Sequence, residues 1–144
     1  MDGQKLNGLN EQYVSCINKV QDYIESNIAS ELSLNVISDV ANFSPFHFHR
    51  VFKAVMGESL FHFIQRTRLE RAAGFLVKDG DMLISQIAAE CGFLNQSVFS
   101  KAFKSYFGCS ASDFRKTHSM DCIKATVFLK SKKIICKSLS ILLK

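Results

Sequence analysis

The chain of 144 residues has a single proline, no tryptophan and seven glycines. The scarcity of proline removes the residue that most strongly interrupts helices, so the composition favours an all-α fold. No apolar run approaches the ~20 residues that a membrane-spanning helix needs, so no membrane-spanning segment is expected. The length suits one domain or two small subdomains, and 47% hydrophobic residues, thirteen of them phenylalanines, suffice for a buried core.

Chemistry-bearing patterns are also missing. The five cysteines include no Cys-x-x-Cys pair, their number is odd and no secretory signal precedes them, which predicts reduced thiols in a cytoplasmic protein. Cys91 lies at an apolar helical position, so it is interpreted as a small core residue, with a redox sensor as the alternative. His47 and His49 point to different faces of a helix, and no catalytic constellation is visible. No metal, no cofactor and no enzymatic activity are therefore predicted.

The positive charge is unevenly distributed. Residues 1–32 carry two lysines against five acidic residues, residues 33–117 have a net charge of +3, and residues 118–144 have +5. A small basic chain favours nucleic acid or an anionic membrane surface as partner. A solvated basic face without a partner is the alternative.

Apolar spacing and turn residues predict seven helices. The apolar positions of 11–29 recur at helical spacing and predict the first helix. Capping serines and asparagines and closing glycines define the others. These predicted helices cover 33–41, 44–56, 59–78, 83–91, 95–107 and one or two turns from 110.

Three local features refine this outline. Asn42 stands at a sharp turn, where asparagine tolerates the left-handed conformation. Leu94 and Phe99 flank the start of the sixth helix at the spacing of a hydrophobic staple. Beyond residue 117 the helical pattern stops, and 125–129 and 134–136 have the composition of short strands. A strand-like tail over 118–144 is therefore predicted.

A repeat dominates the sequence. Residues 41–53 recur as 91–104, each as the end of a short helix, a tight turn and a second helix that stops at a glycine. This is the layout of a helix-turn-helix, once over 33–57 and once over 83–108. The aromatic pairs, lysines and glycines align with an offset of 51, whereas the turns before them align with an offset of 50.

The polar face of each second helix suits the major groove of DNA. The candidate DNA-binding residues are Phe46, His49, Arg50 and Lys53 in the first copy, and Gln96, Ser97, Ser100, Lys101 and Lys104 in the second. Arginine can bind guanine and glutamine can bind adenine through two parallel hydrogen bonds. Lys53 and Lys104, one turn further on, are better placed for phosphates, which set affinity and register. Since the two sets differ, an asymmetric site is expected rather than a palindrome.

These residues resemble a known family. The motif Gly92-Phe93-x-x-x-Ser97-x-Phe99-x-Lys101-x-Phe103-Lys104-x-x-x-Gly108-x-Ser110-x-x-x-Phe114-Arg115 is similar to the signature of the AraC/XylS transcription regulators. Ser44-Pro45-Phe46-His47-Phe48-His49-Arg50 and Arg66-x-Arg68-Leu69-Glu70-Arg71-Ala72 resemble that family too. The resemblance covers 11–117. It implies a seven-helix tandem helix-turn-helix domain, two subdomains joined by the long helix over 59–78, and recognition helices that enter successive major-groove segments.

The resemblance also implies a function. It indicates a sequence-specific activator of transcription at the bacterial nucleoid, with double-stranded DNA and RNA polymerase as partners and an unknown effector. Ala111 and Asn42 depart from the proline and glycine usual in the family, and only mild effects are expected. Most members carry a ligand-sensing domain; the tail over 118–144 is interpreted as the remnant of one, unless the chain is similar to the small single-domain activators.

A rival interpretation remains from the residues alone. A helical module whose polar face contacts another protein, such as a sigma factor, would show the same amphipathic helices. A steep loss of duplex binding with salt together with a selected consensus favours the regulator, whereas no duplex binding at low salt favours the interaction module.

Overall fold

The computed structural model describes the backbone of residues 2–117 and the side chains of residues 11–117. Within this part of the chain the fold is all-α, with seven helices and no strand, as the sequence predicts. The helices are α1 Asp2–Ser26, α2 Leu34–Ala41, α3 Pro45–Met56, α4 Leu60–Lys78, α5 Ile84–Glu90, α6 Gln96–Phe107 and α7 Ala111–Thr117. The tail over 118–144, predicted to be strand-like, lies outside the described residues.

The capping residues identified in the sequence begin the helices as expected. The Ser33 hydroxyl accepts a hydrogen bond from the Val36 amide, and Ser59 does the same for His62. Ser110 caps α7 by accepting from the Asp113 amide at 3.2 Å, so Ala111 in place of proline does not prevent the helix from starting there.

The first helix differs from the sequence prediction at both ends. It begins at Asp2 rather than 11, and Leu6 and Leu9 continue the helical spacing of the apolar residues that follow. It ends at Ser26 rather than 29, since the Asn27 side chain donates a hydrogen bond to the Tyr23 carbonyl at 2.8 Å. The Tyr23 carbonyl thus accepts from both the backbone amide and the side chain of Asn27, the residue that follows the helix.

Of the two compact units of the chain, the first contains residues 2–27 and 32–63 of the described part. In this unit α1, α2 and α3 pack against one another. Phe48 and Phe52 of α3 are fully buried with ring centroids 5.6 Å apart, and Phe52 meets Phe63 edge-on at 5.6 Å. The aromatic core therefore fixes which face of α3 is turned inward.

The second compact unit contains residues 28–31 and 64–117 of the described part. Its core is built from α4, α5, α6 and α7, around the fully buried rings of Phe99 and Phe103. The ring centroid of Phe103 lies 5.3 Å from that of Phe114 in α7 and 4.5 Å from that of Phe107. As with α3 in the first unit, two buried phenylalanines fix which side of α6 faces the core.

Candidate nucleic-acid interface

The α3 helix presents the first candidate reading face, which consists of Phe46, His49, Arg50 and Lys53. Its start is fixed by Ser44, whose hydroxyl accepts from the His47 amide, and by Pro45 at the first helical position. Phe46, Arg50 and Lys53 are exposed and His49 is half-buried. The helix ends at Gly57 in the left-handed conformation. The four predicted residues thus share the solvent side of one rigid helix.

The α6 helix presents the second candidate reading face, which consists of Gln96, Ser97, Ser100, Lys101 and Lys104. All five of these side chains are exposed. The Asn95 side chain begins the helix by accepting from the Val98 amide at 2.8 Å, and Gly108 ends it at φ 80°. The structure adds Val98, 44% exposed beside these residues, which helical spacing places one turn before Lys101.

Val98 was missed because an apolar residue at the start of a helix is normally assigned to the core. The neighbouring prediction that Leu94 packs on Phe99 is wrong, since Leu94 is 89% exposed. Phe93 occupies that place instead: it is buried, and its ring centroid lies 5.2 Å from that of Phe99. The bulkier aromatic ring fills the space in the core, so the leucine is left in solvent.

The turns before the two recognition helices have the same hydrogen bonds. Asn42 lies at φ 57°, its amide donates to the Asp39 carbonyl, and the next amide donates to Ser38. Gly92 lies at φ 83°. Its amide donates to the Ala89 carbonyl, and the Phe93 amide donates to the Ala88 carbonyl. Both are Schellman turns with a left-handed residue after the helix. The prediction of a left-handed Asn42 is confirmed.

The second turn is more crowded than the first. A methyl group on Gly92 would stand 2.5 Å from the Ile28 carbonyl oxygen and 3.0 Å from Arg68 Nε. That oxygen accepts a hydrogen bond from Arg68 Nε at 3.1 Å, and the guanidinium also donates to the Ser30 carbonyl at 3.1 Å. Burial lowers the pKa of the Arg68 guanidinium. We call this arrangement of Arg68, Ile28, Ser30 and Gly92 the arginine clamp.

Hydrogen bonds among polar side chains link α6 to α4. The Tyr106 hydroxyl donates to a Glu70 carboxylate oxygen at 3.1 Å, and Arg66 lies 3.5 Å from the same oxygen. The sequence predicts a surface ion pair between Arg66 and Glu70. The pair exists, but Glu70 is only 8% exposed, because α6 brings Tyr106 over it. A buried carboxylate oxygen that accepts from two side chains in this way has a structural role.

Cys91 lies at the end of α5, directly before the crowded turn. It is fully buried, and burial raises the pKa of its thiol to about 11. A buried, protonated thiol is a poor nucleophile, which favours the core interpretation over the redox sensor. In residues 11–117 no group of three His, Cys, Asp or Glu side chains could hold a metal ion. No helix in the described part is both long and apolar enough to cross a bilayer.

Two recognition helices behind matching turns, each with a buried aromatic side and an exposed polar side, define a tandem helix-turn-helix domain. The family described as a helix-turn-helix domain matches residues 37–117, which is more than half of the chain. The multiple antibiotic resistance protein MarA of Escherichia coli K12 is 32% identical over 102 residues, 71% of this chain and 80% of MarA.

A second relative is longer. The bifunctional transcriptional activator/DNA repair enzyme AdaA of Bacillus subtilis is 30% identical over 105 residues, 73% of this chain. The chain spans about half the length of AdaA, since the match covers 49% of it. The repair activity in AdaA's name is therefore not transferred to this chain.

Solved structures share the fold. The C-terminal domain of AraT, a response regulator from Geobacillus stearothermophilus, superposes with a TM-score of 0.68 at 29% identity, covering 73% of this chain and 87% of that domain. An AraC-type DNA-binding domain-containing regulator from Chromobacterium violaceum gives 0.67 at 25% identity over 71% and 90%. The chain belongs to the AraC/XylS family of transcription regulators, through their DNA-binding domain.

Proposed function

We propose that the chain is a transcription activator that binds an asymmetric duplex site, with α3 and α6 inserted into successive major-groove segments. The observation that supports this most directly is the pairing of one framework with two different reading faces. Both helices begin at a cap, end at a left-handed glycine and bury a phenylalanine pair. The first face contains a phenylalanine, a histidine, an arginine and a lysine, whereas the second contains a glutamine, two serines and two lysines.

Some side chains of the two faces suit contacts with bases, which give specificity, and others suit contacts with phosphates, which give affinity. Arg50 and Gln96 have the side chains that bind guanine and adenine bidentately, and both lie in the amino-terminal half of their helix, where recognition helices reach base edges. Lys53 and Lys104 occupy equivalent places in the last turn of each helix. Lysines there suit phosphates and contribute affinity that falls with salt.

The deciding experiment is selection of bound duplexes from a random pool, followed by footprinting of the selected site. We expect a consensus without two-fold symmetry and a footprint that covers two segments about one helical turn apart. Arg50→Ala should relax one segment and Lys101→Ala the other. A palindromic consensus, or a footprint of one segment that only α3 variants affect, contradicts the two-reader proposal.

The same experiment separates the rival function. A helical protein-protein interaction module without sequence-specific DNA binding would show no duplex affinity at low salt. Activation by contact with RNA polymerase, control by an effector and a cytoplasmic, nucleoid-associated location rest on the family membership. In vitro transcription from a promoter that carries the selected site tests the activator part, because a repressor would lower the yield of transcript.

A further inference from the structure

The first reading face contains an exposed aromatic ring with one recorded partner. Phe46 is 73% exposed at the second position of α3, although phenylalanine is normally buried. The Arg50 Cζ atom lies 5.8 Å from the centroid of its ring. Within residues 11–117, the Arg50 guanidinium therefore has a cation–π contact with the Phe46 ring.

We propose that Phe46 is a positioning residue for Arg50, and that together they read a guanine and a thymine within two base pairs of it in the major groove. The inference deepens the proposed function and rests on it. Arginine has a long side chain that loses considerable rotamer entropy when it binds. An aromatic ring at cation–π distance restricts it in the free protein and leaves N–H donors for the guanine O6 and N7 atoms.

The thymine follows from the geometry of the helix. Phe46 precedes Arg50 by four residues, about 6 Å along the helix axis, which is less than two base-pair steps of about 3.4 Å, so the two side chains address base pairs no more than two apart. An exposed apolar ring has one distinctive partner in the major groove, the C5 methyl group of thymine. The ring therefore has two contacts in the complex, one with the guanidinium and one with the methyl group.

Two comparisons within the chain make this pair distinctive. Arg71 and Phe75 of α4 have the same spacing, with Arg71 Cζ 6.0 Å from the ring centroid, but Phe75 is half-buried against the core. Its ring has a packing role that Phe46 lacks. In α6 the offset of 51 puts Ser97 and Lys101 at the equivalent positions, so neither a ring nor a guanidinium is available there.

The first test is a double-mutant cycle on the selected duplex and on a duplex with the guanine exchanged. Phe46→Leu should lower the preference for guanine by roughly two- to fivefold, as expected for an exposed cation–π pair, while Phe46→Tyr keeps it. With Arg50→Ala already present, Phe46→Leu should change that preference no further. The pair Ser97→Ala and Lys101→Ala is the matched control, and its effects should be additive.

The second test replaces the thymine by deoxyuridine, which lacks only the methyl group. The wild type should lose affinity for the uracil duplex, and Phe46→Ala should bind both duplexes equally. Because Phe46 is exposed, unchanged helix content by circular dichroism is expected for every variant. If Phe46→Leu weakens all duplexes alike with the guanine preference intact, the positioning role is refuted. If the wild type selects no duplex at all, the proposed function fails instead.

Discussion

The arginine clamp makes a quantitative prediction for Gly92→Ala. The alanine would hold φ 83°, a left-handed conformation that costs a residue with a Cβ atom about 1–2 kcal/mol. Its methyl group would also stand 2.5 Å from the Ile28 carbonyl oxygen, which cannot move away without weakening its bond from Arg68. A hydrogen bond to a charged group contributes about 1.5–3 kcal/mol. The combined loss of unfolding free energy is therefore roughly 2.5–5 kcal/mol.

Gly108→Ala is the matched control. Gly108 has a nearly identical φ of 80° in the same compact unit, but an added methyl group meets nothing within 4 Å. It should lose only the conformational part, about 1–2 kcal/mol. Urea denaturation followed by circular dichroism measures both losses. Equal losses for the two variants would refute the clamp, as would an undiminished cost of Gly92→Ala when Arg68→Ala has already removed the hydrogen bonds.

Four further predictions concern individual side chains. Arg50→Ala should cost about 1–3 kcal/mol of binding and relax one base position, measured by competition among duplexes. Lys53→Ala should weaken all duplexes similarly and reduce the slope of log affinity against log salt by about 1. Because the folded pKa of Cys91 is raised from 9.0 to about 11, its protonated thiol stabilises the fold below pH 9, and this contribution should disappear between pH 9 and 11 in thermal unfolding. Alkylation mapped by mass spectrometry should label half-buried Cys16 and Cys109 before Cys91; equal rates would contradict its burial.

Sequence patterns predicted the features that depend on neighbours in the chain. Ser44 and Asn95 were identifiable as caps because a cap binds an amide three residues away. The left-handed Asn42 was likewise predictable from turn chemistry. The exposure of the predicted reading residues followed from helical periodicity. Their contacts with DNA stay a prediction.

The sequence could not predict contacts between residues far apart in the chain. The Tyr106 hydroxyl reaches Glu70 across 36 positions, and Arg68 reaches Ile28 across 40. Nothing in the local pattern distinguishes a buried Glu70 from an exposed one, since the i, i+4 pair with Arg66 suits either environment. The wrong staple of Leu94 has the same origin, because two adjacent apolar residues compete for one place in the core and packing decides between them.

The arginine clamp also bears on how the protein can be dissected. Arg68 binds carbonyl oxygens of Ile28 and Ser30, which precede α2 in the chain. A fragment that starts at α4 would contain every residue of the second helix-turn-helix and still lack both acceptors. In such a fragment the Arg68 guanidinium beside Gly92 has lost both carbonyl acceptors. A separate peptide that contains residues 28–31 would restore them. The compact unit that contains the second helix-turn-helix is thus discontinuous in sequence.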